Sequence, residues 1–508
     1  MQTVGEMLEG VARNEPDRIA VIFGDRKITY RELNRDVNRL AQGLLSRGLT
    51  KGDRVMVFMQ NSPGIITAYF AIMKAGMTMV PLNAMYRRNE ITHIGTDTSA
   101  RAIITDADLW LREADVIAQL PDLEFVIVDG TEERPGTVRL SDILSEITTA
   151  PRTDAHLDDI VCILYTSGTT GLPKGATQTH RTVLTNLWGG CSANKFNRDD
   201  RLLCAMPLFN SYAMNVVMMS SIAMAATLVV VPRFDARMVL DHIGEHKCTF
   251  FGGTPTMFSY LLREYDESRD DLSSLRVTNS AGSHCPGSLG EEIERTFGIV
   301  HLCGYGKTES SGYTALNPIV GIRKNNSVGT PLSNTWMKIV SDDDEELPAG
   351  EIGELAERGD TYSIHGYWNR PEVNVQAFRG GWFHTGDLGY LDEHGYLFLV
   401  DRKQDLIITG GTNIYPVEVE DVLYSYPKVA LAAVIGVPDE LKGEVPKAYI
   451  ILKQGETATE QEIIDYVKTR IAKFKAPRLV EFVESLPQGP SGKILKRELR
   501  EQIKKEKD

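Results

Sequence analysis

The chain has 508 residues, 42% hydrophobic and 24% charged, so it is too long for one hydrophobic core and has an ordinary globular composition. A formal net charge of −14 excludes a general nucleic-acid binder and suits a soluble enzyme, although residues 468–507 are locally rich in Lys and Arg. The six cysteines (Cys162, Cys191, Cys204, Cys248, Cys285 and Cys303) are scattered without a CxxC pair, which fits free thiols in a reducing cytoplasm better than disulfides or a zinc site.

In chain order, residues 1–21 read as an amphipathic helix interrupted by charges, without a secretory apolar region. No uncharged run reaches the length needed to cross a bilayer. Short β-branched runs at 54–58, 79–81 and 102–105 alternate with helical spacing at 65–75, the mark of an α/β body with parallel strands and crossover helices. An apolar run at 160–164 enters the polar stretch 165–175, YTSGTTGLPKG, and helical spacing resumes from Thr179 through Leu184, Leu187 and Trp188. The predicted order there is strand, loop, helix. Residues 212–231 read as a buried helix entering a strand at 226–231 that Pro232 ends. After about Val328 the texture turns Gly-rich, with strands at 351–355 and 394–400. A second unit begins near Asp401, with a helix opened by Pro416, strands at 429–435 and 448–452 and a helix over 460–474.

The stretch 165–175 is suited to phosphate. Gly168, Gly171 and Gly175 let the backbone turn its N–H groups to an anion, Thr166, Ser167, Thr169 and Thr170 add hydroxyls, and Lys174 adds a positive charge. It is not a Walker A loop: counting from Gly168, Pro173 stands where the second glycine belongs and Gly175 follows the lysine. A flexible surface loop is the alternative reading of such a composition.

All eleven positions resemble the phosphate loop of the adenylate-forming superfamily, which includes acyl-CoA synthetases, stand-alone adenylation domains and firefly-type luciferases. Five further stretches carry the resemblance in order: Thr29-Tyr30-Arg31-Glu32-Leu33, Gly304-Tyr305-Gly306-Lys307-Thr308-Glu309, Trp382-Phe383-His384-Thr385-Gly386-Asp387, Asp401-Arg402-Lys403-Gln404-Asp405 and Ser491-Gly492-Lys493-Ile494-Leu495. The resemblance implies an α/β fold with a large N-terminal ATP- and acyl-binding body, residues 1–402. A small mobile α+β C-terminal domain, residues 403–508, would carry a catalytic lysine.

The chemistry can be stated without the family. A free carboxylate is a poor electrophile, and attack of its oxygen on the α-phosphorus of ATP turns that oxygen into a leaving group. This requires cradled phosphates, Mg2+ and positive charge near the phosphorus. The resemblance gives Tyr305 the adenine face, Thr308 the α-phosphate, Glu309 the Mg2+, Asp387 the ribose hydroxyls and Arg402 a ribose or phosphate contact. It makes Lys493 the catalytic cation. Read without it, Glu309 is a turn acid, Tyr305 a core aromatic, Asp387 an Asx-turn residue and Lys493 a solvated lysine in a Pro/Gly loop.

The second half-reaction joins the acyl group to CoA at the same carbonyl, so the small domain has to swing. The resemblance places the hinge at Gln404, where relatives carry Lys or Asp. It lets the pantetheine arm pass Gly410 and Gly411, and sets the CoA adenine on Phe474 with Arg478 and Lys475 near its phosphates. For the acyl pocket it implies Asn210, Tyr212, Met214, Gly282 and Gly304. Asn210 replaces the histidine common in relatives and lacks the carboxylate that pairs with an α-amino group, which argues against an amino-acid substrate. Met214, Val216, Val217, Met218 and Met219 suit a greasy pocket or plain helix core. The expected substrate is a medium- to long-chain fatty acid, with an aryl or alicyclic acid as the alternative and a carrier protein or amine as alternative acceptor. Retention of Lys174, Glu309, Asp387 and Lys493 counts against a catalytically dead nucleotide sensor, and a homodimer is compatible with the sequence.

Overall fold

Parallel strands joined by crossover helices form two sheets in a computed structural model that describes residues 2–166, 173–403, 405–439, 441–489 and 492–507. One sheet has seven strands in the spatial order Val138–Arg139, Phe125–Asp129, Ala102–Asp106, Arg54–Phe58, Thr78–Pro81, Ile160–Thr166 and Lys174–Thr179. Only its last pair is antiparallel. The other sheet has nine, in the order Thr330–Pro331, Gly312–Leu316, Val300–Lys307, Val277–Ser280, Phe250–Gly253, Arg201–Cys204, Thr227–Val230, Ile19–Phe23 and Arg26–Thr29. The largest apolar cluster lies between helices and strands of both, joining Tyr30, Leu33, Ile66 and Phe70 to Leu164, Leu202, Val217 and Leu228.

Local sequence explains the helix starts. Thr29 caps the helix Tyr30–Ser46 and Glu32 reaches back to the Thr29 N–H, a capping box that accounts for this segment of the family-like pattern. Tyr30 is buried, with its hydroxyl donating to the carbonyl of Ala226 at 2.6 Å. Pro63 opens the helix Pro63–Lys74, whose sides are nearly all buried, and even Lys74 is enclosed, its Nζ held by Glu9, Asn34 and Asn38.

Four sequence expectations change. The N-terminal helix spans only Val4–Asn14, and the chain then forms the strand Ile19–Phe23. Residues 212–231 divide into a wide π-helical segment Tyr212–Met218, a short helix Met219–Ala223 and the strand Thr227–Val230. The phosphate-loop candidate is followed by a strand before the helix, because Lys174–Thr179 pairs antiparallel with Ile160–Thr166 before the helix His180–Asn194 begins. The late helix, expected over 460–474, stops at Lys468, so Phe474 lies beyond it.

A four-stranded antiparallel sheet, Thr335–Val340, Gly353–Gly359, Phe383–Leu391 and Leu397–Arg402, completes the large body. The small domain has its own five-stranded sheet and its own core, built from Ile407, Val419, Leu423, Val434, Ala448, Ile450 and Ile463. It docks on the body through His284 Nε2 and Asp421 Oδ1 at 2.6 Å and through Gln488 Nε2, which donates to Tyr260 Oη at 3.4 Å. Among the described residues, no helix is long and apolar enough to cross a membrane.

Candidate active site

Four adjacent strands of the nine-stranded sheet, Arg201–Cys204, Phe250–Gly253, Val277–Ser280 and Val300–Lys307, run parallel. The segments leaving their carboxyl ends line one cleft of about 930 Å³ with Met206, residues 209–212, Thr254, Ala281-Gly282 and Thr308-Glu309. That is where open α/β sheets place ligands. The hairpin of the other sheet closes it with Thr166 and Lys174, and the four-stranded sheet adds Thr385, Gly386, Asp387 and Arg402. The small domain contributes Lys493.

The backbone at Lys493 is held by the Gly489 N–H, which donates to the Lys493 carbonyl at 2.8 Å. Gly492, at φ +76°, has no Cβ, and an added one would lie 3.0 Å from Thr254 Oγ1, so glycine beside Lys493 lets the backbone there approach the large body. The Arg402 charge, followed by burial, brings the Lys493 amine down to about 7. Burial works against the Asp387 carboxylate, but Lys307 and Arg402 outweigh it and hold it at about 2. Arg402 Nε lies 3.4 Å from Asp387 Oδ1, and that carboxylate raises the guanidinium's pKa.

Thr308 and Glu309 occupy the turn between Val300–Lys307 and Gly312–Leu316. A buried amide relay holds this turn from beneath: Gln178 Nε2 donates to the Thr308 carbonyl at 2.9 Å, and Asn215 Nδ2 donates to Gln178 Oε1 and to the Ser311 carbonyl. Asn186 Nδ2 donates to the carbonyls of Ser310 and Tyr313. Glu309 Oε1 accepts from the Tyr367 hydroxyl at 2.6 Å, and Lys174 Nζ stands 5.9 Å from the centre of the same tyrosine ring. Tyr367 therefore ties the loop lysine to the acidic turn. Along the sequence, Lys307, Gln178 and Tyr367 carried no signal beyond Lys307 standing within a family-like block, because the carbonyls of Thr385 and Thr308 that the first two hold are 78 and 130 positions away.

Several residues expected at the site stand elsewhere. Tyr305 does not line the cleft: its ring packs with Ala315, Ile339, Leu355 and Leu397, its hydroxyl donates to Asp387 Oδ2, and Lys307 Nζ lies 5.5 Å from the ring centre. The adenine platform expected of it is thus covered in this arrangement. Gly304 is also off the cleft wall, which Gly306 and Lys307 line instead, and a Cβ at Gly304 would meet Tyr313 Cε1 at 2.7 Å. Met214 is fully enclosed in the core, as are Val216, Val217, Met218 and Met219. Asn210, Tyr212 and Gly282 do line the cleft, with the Asn210 side chain accepting from the Tyr212 N–H at 2.9 Å. The Tyr212 hydroxyl fills the space over Gly252, where a Cβ would come within 2.1 Å of it, and accepts from the Tyr313 hydroxyl at 3.1 Å.

Gly175 belongs to the strand Lys174–Thr179, and a Cβ there would lie 2.6 Å from Ile163 Cγ2, so packing accounts for it. Gly410 and Gly411, at φ +54° and +80°, form the two-residue turn of the hairpin Ile407–Thr409 and Thr412–Ile414. They are not on the cleft wall, nor are Phe474, which is 45% exposed, and Arg478, whose N–H donates to the Pro446 carbonyl. Lys475 is paired with Glu418. Ser167, Gly168, Thr169, Thr170, Gly171 and the hinge candidate Gln404 lie outside the described residues.

The fold also gathers Cys285, His301 and Cys303 into one cluster away from the cleft lining. His301 Nδ1 has Thr278 Oγ1 at 2.9 Å and Nε2 has Ser280 Oγ at 2.9 Å, so hydroxyls already partner both ring nitrogens. All six cysteines are free thiols.

Residues 8–368 match the AMP-binding enzyme family and residues 418–493 match the AMP-binding enzyme C-terminal domain. A long-chain-fatty-acid–CoA ligase of Bacillus subtilis (strain 168) is 33% identical, over 99% of this chain and 94% of that protein. A feruloyl-CoA synthase of an Amycolatopsis species is 36% identical over 96% of each. The crystal structure of an anthranilate CoA ligase in complex with anthranoyl-AMP superposes with a TM-score of 0.93 at 31% identity, covering 99% of this chain and 97% of that one. With these matches running from residue 8 to residue 493 and a two-lobed cleft at the strand ends, the chain belongs to the AMP-binding enzyme family, in its acyl-CoA ligase branch.

Proposed function

We propose that the enzyme activates a carboxylic acid with ATP as an acyl-adenylate and then transfers the acyl group to CoA. The observation that carries this reading is the convergence of Lys493, from the small domain, with Lys174, Thr308, Glu309, Asp387 and Arg402, from the large body, on one cleft. In the first step the acid's oxygen bonds to the α-phosphorus while the bond from that phosphorus to the bridging oxygen breaks, and pyrophosphate leaves. Lys493 and Arg402 meet the charge that gathers on the phosphate, Thr308 donates to it, and Asp387 accepts from the ribose. In the second step the CoA sulfur bonds to the carbonyl carbon, AMP leaves and the thiol proton passes to solvent.

Mg2+ fits the donors present. Glu309 offers a hard carboxylate oxygen, one of its two atoms being taken by Tyr367, and one or two carboxylates with phosphates and water are what this ion accepts. When bound it would neutralise phosphate charge.

The small domain, with the boundary placed after Arg402, turns between the two steps. Gly410 and Gly411 then bring their side-chain-free hairpin to the carbonyl, with Gln404 as hinge and Phe474 and Arg478 toward CoA.

For the acid, the methionine- and valine-rich helix that favoured a fatty chain is core. The cleft is instead walled by Phe209, Tyr212 and Tyr313, the two tyrosine rings meeting edge to face at 5.5 Å, which favours a planar aryl acid. A medium- to long-chain fatty acid is the second reading, supported by likeness to the Bacillus ligase. Pyrophosphate release measured with ATP, Mg2+ and CoA against acids graded in length and aromaticity tests both levels. Acid-dependent release with acyl-CoA formation supports the ligase, aryl acids should outperform alkyl acids of equal size, and no release with any acid would refute it.

A further inference from the structure

Among the described residues, one group of three metal-ligating side chains comes together, Cys285, His301 and Cys303, and none of them lines the nucleotide cleft. Neighbouring strands build it. Val277–Ser280 and Val300–Lys307 run parallel with Thr278 opposite His301 and Ser280 opposite Cys303, and the two-residue period of a strand sets these four side chains on one face. The chain leaves Ser280, lines the cleft with Ala281-Gly282 and brings Cys285 back to His301 just before the helix Gly287–Phe297 starts. Cys285 Sγ stands 3.9 Å from His301 Nε2, and the two sulfurs and a ring nitrogen lie within 4.8 Å of one another. Sulfur and nitrogen ligands on a tetrahedral zinc, with bonds of about 2.0 to 2.3 Å, stand about 3.5 to 3.8 Å apart, so small side-chain rotations close the set.

The surroundings fit an ion. Thr278 Oγ1, 2.9 Å from Nδ1, fixes the ring and leaves Nε2 toward Cys285, the outer contact that a metal-binding histidine commonly has. Ser280 Oγ is 2.9 Å from Nε2, so an ion there displaces that one hydrogen bond and keeps the oxygen at hand as a fourth neighbour. Charge balances too. Two thiolates and a neutral imidazole cancel a divalent cation, so Cys285 and His301, 7% and 6% exposed, would enclose no net charge. Cys303 is only partly buried, which leaves a way in. We propose that Cys285, His301 and Cys303 bind a thiophilic divalent cation of the Zn2+ kind. Binding forms two metal–sulfur bonds and one metal–nitrogen bond and releases the two thiol protons to solvent. The ion is structural: it clasps the segment that follows Gly282 to the strand that runs on to Thr308-Glu309, both of which wall the cleft.

The test titrates Co2+, a spectroscopic stand-in for Zn2+, into chelator-treated full-length protein kept reduced with a thiol-free reductant. Wild type should take up one equivalent with a sulfur-to-cobalt charge-transfer band and tetrahedral bands in the visible, all bleached by Zn2+, and Zn2+ should raise its melting temperature. Cys285→Ser and Cys303→Ser should each weaken Zn2+ binding by roughly tenfold or more, a loss at least as large as that on changing an outer contact of a metal site. The double variant should lose the charge-transfer band, while Cys248→Ser, which alters a buried thiol outside the cluster, should keep it. Cobalt held only by surface histidines or carboxylates gives no such band, so its absence from wild type would overturn the proposal whether or not any variant folds. An undiminished band in the double variant would overturn it as well.

Discussion

The lowered Lys493 amine makes a quantitative claim about protons. With a pKa of about 7, set by Arg402 and by burial, only about a tenth of the amines are charged in free enzyme at pH 8, one unit higher. A bound α-phosphate puts negative charge beside the amine and returns it toward its ordinary value near ~10.4. Nucleotide binding at pH 8 should therefore take up about 0.9 proton at this residue, and at pH 6, where about nine-tenths are already charged, only about 0.1. The assay is calorimetric titration of a non-hydrolysable ATP analogue into the enzyme in buffers of different ionisation enthalpy, with Lys493→Met beside wild type so that other titrating groups cancel. The same depression disfavours the charged fold. Its cost is complete below about 7 and fades as pH climbs toward the unfolded value, so ligand-free Lys493→Met should melt above wild type at pH 6, by a margin that narrows with rising pH. Equal proton uptake by the two proteins at pH 8 would refute this reasoning.

Three other outcomes follow from particular contacts. Gly252→Ala would put a Cβ 2.1 Å from the Tyr212 hydroxyl and force that ring toward the cleft. It should raise KM for the acid at least several-fold, at an overpacking cost of about 1 to 3 kcal/mol, and unchanged acid kinetics would contradict the assigned wall. Thr29→Ala removes the cap of the helix Tyr30–Ser46 and should cost about 1 kcal/mol, read from the urea midpoint of unfolding, with the acid preference unmoved. Burial opposes charge on His284, but the hydrogen bond and charge of Asp421 prevail and raise its pKa. The bridge between the lobes is thus present at low pH and lost as pH rises through that raised value. The ratio of thiol transfer to adenylation should then climb above pH 6.5 in wild type and stay flat in His284→Gln; parallel pH profiles would dismiss the bridge.

The alternation of β-branched runs with helical spacing was enough to read the α/β body, because buried parallel strands such as Arg54–Phe58 and Ala102–Asp106 are continuous apolar runs. The hairpin after residue 166 was misread since Lys174–Thr179 is polar and threonine-rich, and only its pairing with Ile160–Thr166 makes it a strand. Helical spacing at 212–219 was real, yet spacing alone cannot say which side meets a ligand, and the structure turns Met214 and its neighbours into core. Among site residues, Asp387, Arg402, Thr308, Glu309 and Lys493 could be named because each falls in a short family-like string. Lys307 and Tyr367 could not be assigned from the sequence, because their roles come from contacts with Asp387 and Glu309, 80 and 58 positions away.

The division of labour between the two lobes is tested most directly by separating the half-reactions in Lys493→Ala. Removing one preorganised cation should raise the adenylation barrier by roughly 3 to 4 kcal/mol, a loss of about two to three orders of magnitude in acid-dependent pyrophosphate release. Thioester formation from supplied acyl-adenylate and CoA should stay near the wild-type rate. An equal fall in both half-reactions in a folded variant would contradict the assignment of Lys493 to the first step and, with it, the alternation of the two lobes over one cleft.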